Sequence, residues 1–319
     1  MNRKNLSGNL LLLLAALIWG LAFVVQDAAA DLIGPLSLNA ARSLLATLVL
    51  LPILILNNRK NGCLAALNVP QARRRLLFFG LSCGVFLFFA VNLQQLGLTL
   101  YPPQAASSSR AGFLTALYVI FVPLLSAFGR KRPGLQIWVA VALTTLALYL
   151  LCLSGGLSGL YLGDLVMLSC SLAFSLQILQ VDRAVQQIDG VLLSAVQFFV
   201  CGILSLIFAF FIEKPALSNF AAAYKSILYL GVLSSGIGYT LQIIGQKKAG
   251  NPTVAAILMS MESVFAALGG AWLLSERLSP REAAGCLVLL VAIILAQLPS
   301  ALFCPHRQSD TTAAENKKY

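Results

Sequence analysis

The chain has 319 residues, of which 59% are hydrophobic and only 10% charged, whereas about 25% of the residues of a soluble domain are charged. A soluble core cannot bury so much apolar surface, so the composition predicts an integral membrane protein and excludes a large soluble domain. Basic loops that face anionic lipid headgroups account for the net charge of +11, and we expect no nucleic-acid partner.

Ten apolar stretches are candidate transmembrane helices, which we number spans 1 to 10. At a rise of about 1.5 Å per residue, about 20 residues cross a hydrocarbon layer of about 30 Å. In chain order the predicted spans are Leu10–Gln26, Pro35–Leu56, Leu76–Leu100, Gln104–Phe128, Leu135–Leu153, Leu160–Gln180, Val191–Ile212, Ser226–Gln246, Pro252–Leu274 and Ala283–Phe303. Pro123 lies within span 4 and is expected to bend it.

The basic residues predict how the chain lies in the membrane, because cytoplasmic loops are enriched in Lys and Arg. With ten spans and a cytoplasmic N-terminus, most of the 22 Lys and Arg residues fall in cytoplasmic loops, including the runs at 73–75 and 130–132. We therefore expect a multi-pass protein of the cytoplasmic membrane with both termini cytoplasmic. Residues 304–319 form a flexible cytoplasmic tail in this prediction.

The number and spacing of the cysteine and histidine residues indicate whether disulfides, a metal site or a catalytic site are expected. The seven cysteines are scattered singly, and the single histidine, His306, lies in the C-terminal tail. The sequence contains no CxxC pair and no HExxH pattern, so it predicts no disulfide framework, no metal site and no cofactor. Clustered catalytic residues are also missing from the sequence, and we expect no enzymatic activity.

The two halves of the sequence resemble each other. The stretch "NLQQLGLTLYPPQAASSS" (92–109) aligns with "TLQIIGQKKAGNPTVAAI" (240–257), which places Gln94 over Gln242 and Gly97 over Gly245. Each half contains five spans, an odd number, so the second copy is inverted relative to the first. We predict one repeat over residues 1–155 (spans 1–5) and another over 156–303 (spans 6–10), an arrangement typical of secondary transporters.

Several stretches point to a known family. They are "ALIWGLAFVVQ" in span 1, "NAARSLLATLVLLP" in span 2, "AGFLTALYVIFVPLL" in span 4, "GVLSSGIGYTLQIIGQK" in span 8 and "NPTVAAILMSMESVFAALGGAWLLSERLSPRE" from span 9 onward. Over about residues 8 to 300, the chain resembles the drug/metabolite transporter superfamily, in particular its EamA-like branch. The resemblance implies an all-α integral membrane fold of ten transmembrane helices in two inverted five-helix repeats. Helices 1–4 and 6–9 would line a central cavity, with helices 5 and 10 as an outer scaffold.

Helical periodicity groups polar side chains on one face of each of spans 1–4 and 6–9, but not of spans 5 and 10. These faces supply the candidate substrate-binding residues, which are Trp19, Gln26, Asn39, Arg42, Asn92, Gln95, Arg110, Tyr118, Gln177, Gln197, Tyr239, Gln242 and Glu262. A second pattern, the small residues at 266, 267, 269 and 270, predicts close helix packing.

Three candidates carry charge within the predicted hydrocarbon: Arg42, Arg110 and Glu262. A charge at that depth costs about 2.5–3.5 kcal/mol, so each is expected to face protein or water. The two arginines either bind an anionic group such as a carboxylate, or one of them pairs with Glu262 as a gate. Glu262 lies near the midplane and has to be neutralised by a proton, an arginine or a bound cation. Asp164 is expected at the membrane interface.

These features predict a secondary active transporter, with export the expected direction. It would move a small polar or amphipathic metabolite across the cytoplasmic membrane by alternating access, and a proton is a candidate coupling ion. We expect a small-molecule substrate and membrane lipids as partners, and a monomer or homodimer. A flippase for lipids or lipid-linked amphiphiles is the alternative, and a membrane-embedded enzyme is less favoured.

Overall fold

The computed structural model describes residues 3–62, 64–101, 107–127, 133–152, 161–265, 268 and 280–298. Within these ranges the regular structure is helical and contains no strand. Helices are expected in lipid because each one satisfies its own backbone hydrogen bonds. The fold is therefore that of an all-helical membrane protein.

Among the described residues, six helices are long and apolar enough to cross a membrane. They are Arg3–Ala30 (span 1), Pro35–Asn61 (span 2), Pro70–Thr99 (span 3), Leu162–Ala184 (span 6), Gly190–Ile212 (span 7) and the continuous Tyr224–Ala249 (span 8). Span 8 contains a π-helix over Tyr229–Gly238, followed by α-helix over Tyr239–Ala249.

The four remaining predicted spans contain shorter apolar helices. Their bounds are Ser107–Ala116 and Tyr118–Ala127 (span 4), Leu135–Cys152 (span 5), Pro252–Met259 with 262–265 (span 9) and Pro280–Gln297 (span 10). Two short elements, the 3₁₀-helix Ala65–Asn68 and the helix Leu217–Ala222, lie in connections. That all ten spans cross a membrane stays a prediction.

Local sequence signals explain several helix ends. Pro35 and Pro252 lie in the first turn of spans 2 and 9, where a missing N–H removes no hydrogen bond. The Asn251 side chain accepts hydrogen bonds from two backbone N–H groups at the start of span 9. Gly62 and Gly250 end spans 2 and 8 with positive φ angles of 61° and 67°, a conformation that glycine adopts without strain.

Spans 4 and 9 are both interrupted in mid-course. Span 4 breaks at Leu117, whose N–H bonds the carbonyl of Leu114, and the second segment begins at Tyr118. The break therefore precedes Pro123, where we predicted a bend, and Pro123 itself lies inside the second segment. Span 9 breaks at residues 260–261, and its helix resumes at Glu262.

The most extensive helix packing joins the two halves of the chain. Span 2 packs on span 7, span 3 on spans 6 and 7, span 1 on span 8, and span 5 on span 10. Glycines permit the close approach: a Cβ at Gly84 would lie 2.6 Å from Cβ of Val200, and one at Gly245 would lie 2.8 Å from Cγ of Leu12. The small residues predicted to serve this purpose at 266, 267, 269 and 270 lie outside the described residues.

The outer surface of the helices is apolar. Phe211 is 79% exposed, and Leu77 and Ile294 are more than half exposed. In water such a surface would be an aggregation site, whereas in a bilayer it is the surface that contacts lipid tails. The buried positions, in contrast, include many amide and hydroxyl side chains. Soluble proteins expose polar side chains and bury apolar ones, so the opposite distribution seen here agrees with a location in the membrane.

Candidate functional site

A cavity lies between the helices, and the empty space in it, part of which is open to solvent, is about 500 Å³. Its described wall comes from spans 1, 2, 3, 4, 6, 8 and 9, and none of it from spans 5, 7 or 10. The predicted site residues that line this cavity are Trp19, Gln26, Arg42, Tyr118, Tyr239, Gln242 and Glu262.

Two opposite charges, Arg42 and Glu262, are buried in this wall, each less than 5% exposed. Nη1 of Arg42 donates to Oε1 of Gln26 at 3.5 Å, and Nε of Arg42 has no hydrogen-bond partner in the part of the chain that the structure describes. Oε1 of Glu262 accepts from the hydroxyl of Tyr118 at 3.2 Å. Among the described residues, Arg42 and Glu262 form no ion pair with each other, so a gate made by this pair is not what the structure contains.

The helix interruptions position two of the polar groups. Tyr118 is the first residue after the break in span 4, and Glu262 is the first residue after the break in span 9. Their hydrogen bond thus joins the two interrupted helices. Discontinuous helices of this kind commonly form binding sites near the bilayer midplane, because a broken helix leaves polar groups available to a ligand.

An aromatic cluster forms another part of the wall. The rings of Trp19 and Tyr239 lie 4.7 Å apart, and Phe198 packs edge-on against Tyr239 at 5.2 Å. Nε1 of Trp19 donates to the carbonyl of Ser234 at 3.3 Å, which holds span 1 against the π-helix of span 8. Ring pairs in these geometries are stabilising beyond the area they bury. The cluster is therefore a fixed apolar surface beside the charged groups.

Three predicted site residues join helices instead of lining the cavity. Nδ2 of Asn39 donates to the carbonyl of Val91 and to Oδ1 of Asn92, both at 3.0 Å. Nδ2 of Asn92 donates to Ser205 Oγ at 3.0 Å, which connects spans 3 and 7. Nε2 of Gln95 donates to the carbonyl of Gln26 at 3.0 Å. Their polarity is used in helix packing, a role that periodicity alone cannot separate from ligand binding.

Two further predicted residues, Gln177 and Gln197, form a line of amides behind Gln242. Nε2 of Gln242 donates to Oε1 of Gln177 at 3.5 Å, and Nε2 of Gln177 donates to Oε1 of Gln197 at 3.3 Å. Oε1 of Gln242 and Nε2 of Gln197 have no hydrogen-bond partners among the residues that the structure describes. Only Gln242 reaches the cavity wall.

The remaining ionisable candidates lie elsewhere. Arg110 belongs to the helix Ser107–Ala116, and its side chain lies outside the part of the chain that the structure describes. Asp164 accepts from the hydroxyl of Tyr101 at 2.9 Å and from the backbone N–H of Tyr161 at 3.0 Å, at the start of span 6. Asp164 is therefore a helix-terminal capping residue and not part of the cavity. Within the described residues, no group of His, Cys, Asp and Glu could hold a metal ion.

Three polar residues of the wall were not predicted: Gln94, Thr115 and Ser234. Gln94 could have been found, because the internal repeat aligns it with Gln242. Thr115 lies one helical turn before Tyr118, although a break in the helix separates the two. Ser234 lies in the π-helix, whose wider turns rotate less per residue than an α-helix. Phe23, Phe174 and Met259 complete much of the apolar wall.

Comparison with known proteins agrees with this architecture. The model of the EamA-like transporter family matches residues 6–153 and again residues 161–298. An "Uncharacterized transporter" of Archaeoglobus fulgidus is 29% identical over 296 residues, which cover 92% of this chain and 87% of that protein. A solved structure described only as "Crystal structure of protein" has the same fold, with a TM-score of 0.73 and 18% identity over 95% of this chain and 99% of that one. Since the family model matches nearly the whole chain in two consecutive copies, the chain belongs to the EamA-like transporter family and is a multi-pass membrane transporter.

Proposed function

We propose that the protein is a secondary active transporter that moves a small polar or amphipathic metabolite across the cytoplasmic membrane by alternating access. The observation that carries this proposal is the cavity with the buried side chains of Arg42 and Glu262 in its wall and no ion pair between them. Burying charges without mutual neutralisation costs several kcal/mol per ion. Helix packing alone does not offset this cost, whereas a polar ligand bound between the two charges does.

We propose further that the two halves are inverted repeats of five spans each, with boundaries near residues 155 and 156 and both termini cytoplasmic. The duplicated family match supports a repeat. The helix packing supports it too: exchanging each span with its counterpart turns the span 3–span 6 contact into the span 8–span 1 contact, and leaves 2–7 and 5–10 unchanged. Both kinds of contact are among the most extensive in the structure.

Alternating access then follows from movement of one half against the other. The interruptions at Leu117 and at residues 260–261 are the bending points in this proposal, because the regular α-helix is already broken there. Both breaks adjoin the cavity residues Tyr118 and Glu262, so a ligand in the cavity would lie next to both interruptions. Export is the direction that we propose.

Accessibility of one cavity position tests the mechanism without knowledge of the substrate. Ser234 lines the cavity and is 3% exposed, whereas its neighbour Leu233 is 40% exposed on the outside of the helices. In a protein whose cysteines have been replaced, we expect Ser234→Cys to react with a membrane-impermeant maleimide added from either side. Leu233→Cys, facing lipid, should react from neither side. Reaction of Ser234→Cys from one side only, under all conditions, contradicts alternating access.

We propose Glu262 as the site of proton coupling. Its carboxylate has one described hydrogen-bond partner, the Tyr118 hydroxyl, and no ion pair among the described residues. A proton or a cationic ligand would each neutralise it. In proteoliposomes, an imposed proton gradient should accelerate transport by the wild type and leave Glu262→Gln unaffected. Wild-type transport that ignores the gradient would remove the coupling proposal and leave the transporter proposal standing.

A further inference from the structure

We propose that the connection between spans 2 and 3 is a binding site for an anionic phospholipid. Residues 57–75 read "NNRKNGCLAALNVPQARRR" and contain five basic and no acidic residues. The five are Arg59, Lys60, Arg73, Arg74 and Arg75. Clusters of about four to eight Lys and Arg residues at the cytoplasmic end of a transmembrane helix are typical of sites for anionic lipid headgroups. Transport plays no part in this inference, and only the choice of the cytoplasmic leaflet depends on the proposed orientation.

The connection is folded against the ends of these two spans. The backbone N–H of Leu64 donates to Oδ1 of Asn58 at 2.8 Å, and Leu64 and Leu67 pack on the apolar cluster between spans 2, 3, 6 and 7. Spans 2 and 3 also pack on each other. The end of span 2, with Arg59, and the start of span 3, with its three arginines, are therefore held on the same face of the membrane by a short, packed connection.

The side chains of Arg73, Arg74 and Arg75 are exposed at the start of span 3. None of the three forms a hydrogen bond or an ion pair with another described residue. Their positive charges lie on consecutive residues and repel one another. A phosphate group carries the opposite charge, and its oxygens accept charge-assisted hydrogen bonds from guanidinium N–H groups. An anionic headgroup bound here would therefore offset the repulsion and satisfy donors that the described protein leaves to solvent.

An apolar stripe runs along span 3 from these arginines. Leu77, Phe78 and Leu81 follow Arg74 by three, four and seven positions, so they lie on the same face of the helix. Their side chains are more than half exposed, and so is that of Phe89 farther along this face. A phospholipid can place its phosphate beside the arginines and its acyl chains along the stripe. A soluble anion would contact the arginines alone, so the stripe favours the lipid.

The basic cluster is not a requirement of the repeated fold. In the proposed inverted repeat, the counterpart of this connection is residues 212–225, between spans 7 and 8, which contain two lysines and one glutamate. That glutamate, Glu213, binds the start of span 2. Basic residues also orient a chain during insertion, but this role ends once the protein is in the membrane. A lipid site persists in the purified protein, and this difference separates the two roles.

The first experiment measures lipid binding to the purified, delipidated full-length protein in detergent by native mass spectrometry. The probes are dioleoyl phosphatidylglycerol, which is anionic, and dioleoyl phosphatidylcholine, whose choline cancels the phosphate charge. Because each arginine near a headgroup strengthens binding about 5-fold, we expect phosphatidylglycerol to bind at least about 10-fold more tightly than phosphatidylcholine. Replacing Arg73, Arg74 and Arg75 together by glutamine should weaken phosphatidylglycerol about 100-fold and leave phosphatidylcholine unchanged. Equal affinity of the wild type for the two lipids overturns the proposal.

A matched control removes the same charge from the other run of three basic residues. Replacing Arg130, Lys131 and Arg132 by glutamine should leave the affinity for phosphatidylglycerol unchanged, because no second basic pair adjoins that run. Equal losses in the two triple variants would indicate general attraction to net charge and would overturn the site. Wild-type affinity in the variant of span 3 would leave the arginines with an orienting role only, which also overturns it. If that variant does not fold, Arg74→Gln alone should weaken binding about 5-fold.

A competition experiment separates the lipid from a soluble anion. Inorganic phosphate in large excess, compared with sodium chloride at the same ionic strength, should displace no more phosphatidylglycerol than the chloride does, because phosphate cannot occupy the apolar stripe. Displacement by phosphate at concentrations equal to that of the lipid would assign the arginines to a soluble anion and overturn the proposal. Arg73, Arg74 and Arg75 lie outside the cavity wall, so failure of lipid binding leaves the transporter proposal standing.

Discussion

Gly238 shows how single residues shape the cavity wall. A Cβ at this position would lie 2.8 Å from Nε1 of Trp19, closer than non-bonded atoms normally approach. The φ and ψ angles of Gly238 are −56° and −52°, which any residue adopts, so the constraint is lack of space and not an unusual φ angle. The absent side chain leaves room for the Trp19 ring, which donates to Ser234 and packs on Tyr239.

We predict that Gly238→Ala displaces Trp19 and breaks its hydrogen bond to the Ser234 carbonyl. Overpacking of this kind costs about 1–3 kcal/mol, so the melting temperature should fall. The emission of Trp19 should also shift in a protein in which the other two tryptophans are replaced by phenylalanine. Gly112→Ala is the matched control, because a Cβ at Gly112 meets nothing within 4 Å. An unchanged Trp19 spectrum in Gly238→Ala would contradict the prediction.

Residue-level sequence reasoning had a clear limit. Periodicity recognised that Asn39, Asn92 and Gln177 lie on inward faces, and all three are buried. It could not distinguish a cavity wall from a helix contact, because either environment favours a polar side chain. Ser234 was missed because the π-helix changes the angular period within span 8. The composition of span 8 gives no signal of that change.

At the scale of helices, Glu213 connects the two halves at one end of the molecule. It follows the last residue of span 7, and its carboxylate accepts from the backbone N–H groups of Leu36 and Ser37, both at 2.8 Å. These groups belong to the first turn of span 2, where N–H donors have no helical partner. The Ser37 hydroxyl also donates to it, at 2.5 Å. A residue of the second half thus caps a helix of the first.

We expect Glu213→Gln to loosen this end of the structure. The amide keeps one acceptor but loses the other and the negative charge, which together stabilise a helix start by about 1–2 kcal/mol. Amide hydrogen exchange at residues 36 and 37 should therefore accelerate about 5- to 30-fold. Asp189→Asn is the control, since Asp189 caps only the start of its own helix, span 7. Equal exchange rates in wild type and Glu213→Gln would show that the carboxylate does not hold span 2.

Helix ends were more predictable than helix interruptions. Pro35 and Pro252 mark the observed starts of spans 2 and 9, and the Gly250 to Pro252 turn separates spans 8 and 9 as the sequence suggests. The break at Leu117 was not predicted, because the residues around it are ordinary helix formers. The Glu213 cap was missed as well, since its partners are 176 and 177 residues away in the chain.

For the whole molecule, most helix packing lies between the halves. Spans 2 and 7, spans 3 and 6, and spans 1 and 8 are the closest neighbours, and Asn92 and Gln180 add hydrogen bonds from one half to the other. Neither half would bury its small and polar residues by itself. In lipid, such contacts depend on close packing and interhelical hydrogen bonds, because apolar burial gives no driving force there.

We predict that residues 1–155 and 156–319, expressed as two chains, reassemble into one complex in the membrane. They should co-purify in equal amounts and melt in a single transition, while each chain alone should aggregate in detergent. Replacing Gly84 by leucine, which would collide with Val200, should abolish co-purification. The same test with Gly112→Leu provides the control for added volume. A half that is monodisperse by itself would contradict the prediction.

The composition was sufficient to predict an all-helical membrane fold, and the sequence motifs were sufficient to predict the family. A chain that is 59% hydrophobic has to be in a membrane, and helices are the way an open chain satisfies its backbone there. Which helices of one half meet which helices of the other was beyond the sequence. That pairing depends on glycines such as Gly84 and Gly245, whose partners are far away in the chain.

The line of amides from Gln242 through Gln177 to Gln197 has a polarity. It ends in the side-chain oxygen of Gln242 and the side-chain NH₂ of Gln197, neither of which has a hydrogen-bond partner within the described ranges. If all three side-chain amides rotate by 180°, both hydrogen bonds between them are kept, but each donor becomes an acceptor and each acceptor a donor. A molecule that donates to Gln242 selects one sense, and a molecule that accepts from it selects the other. The molecule in the cavity thereby determines the orientation of the Gln197 amide in span 7, although span 7 contributes no described residue to the cavity wall.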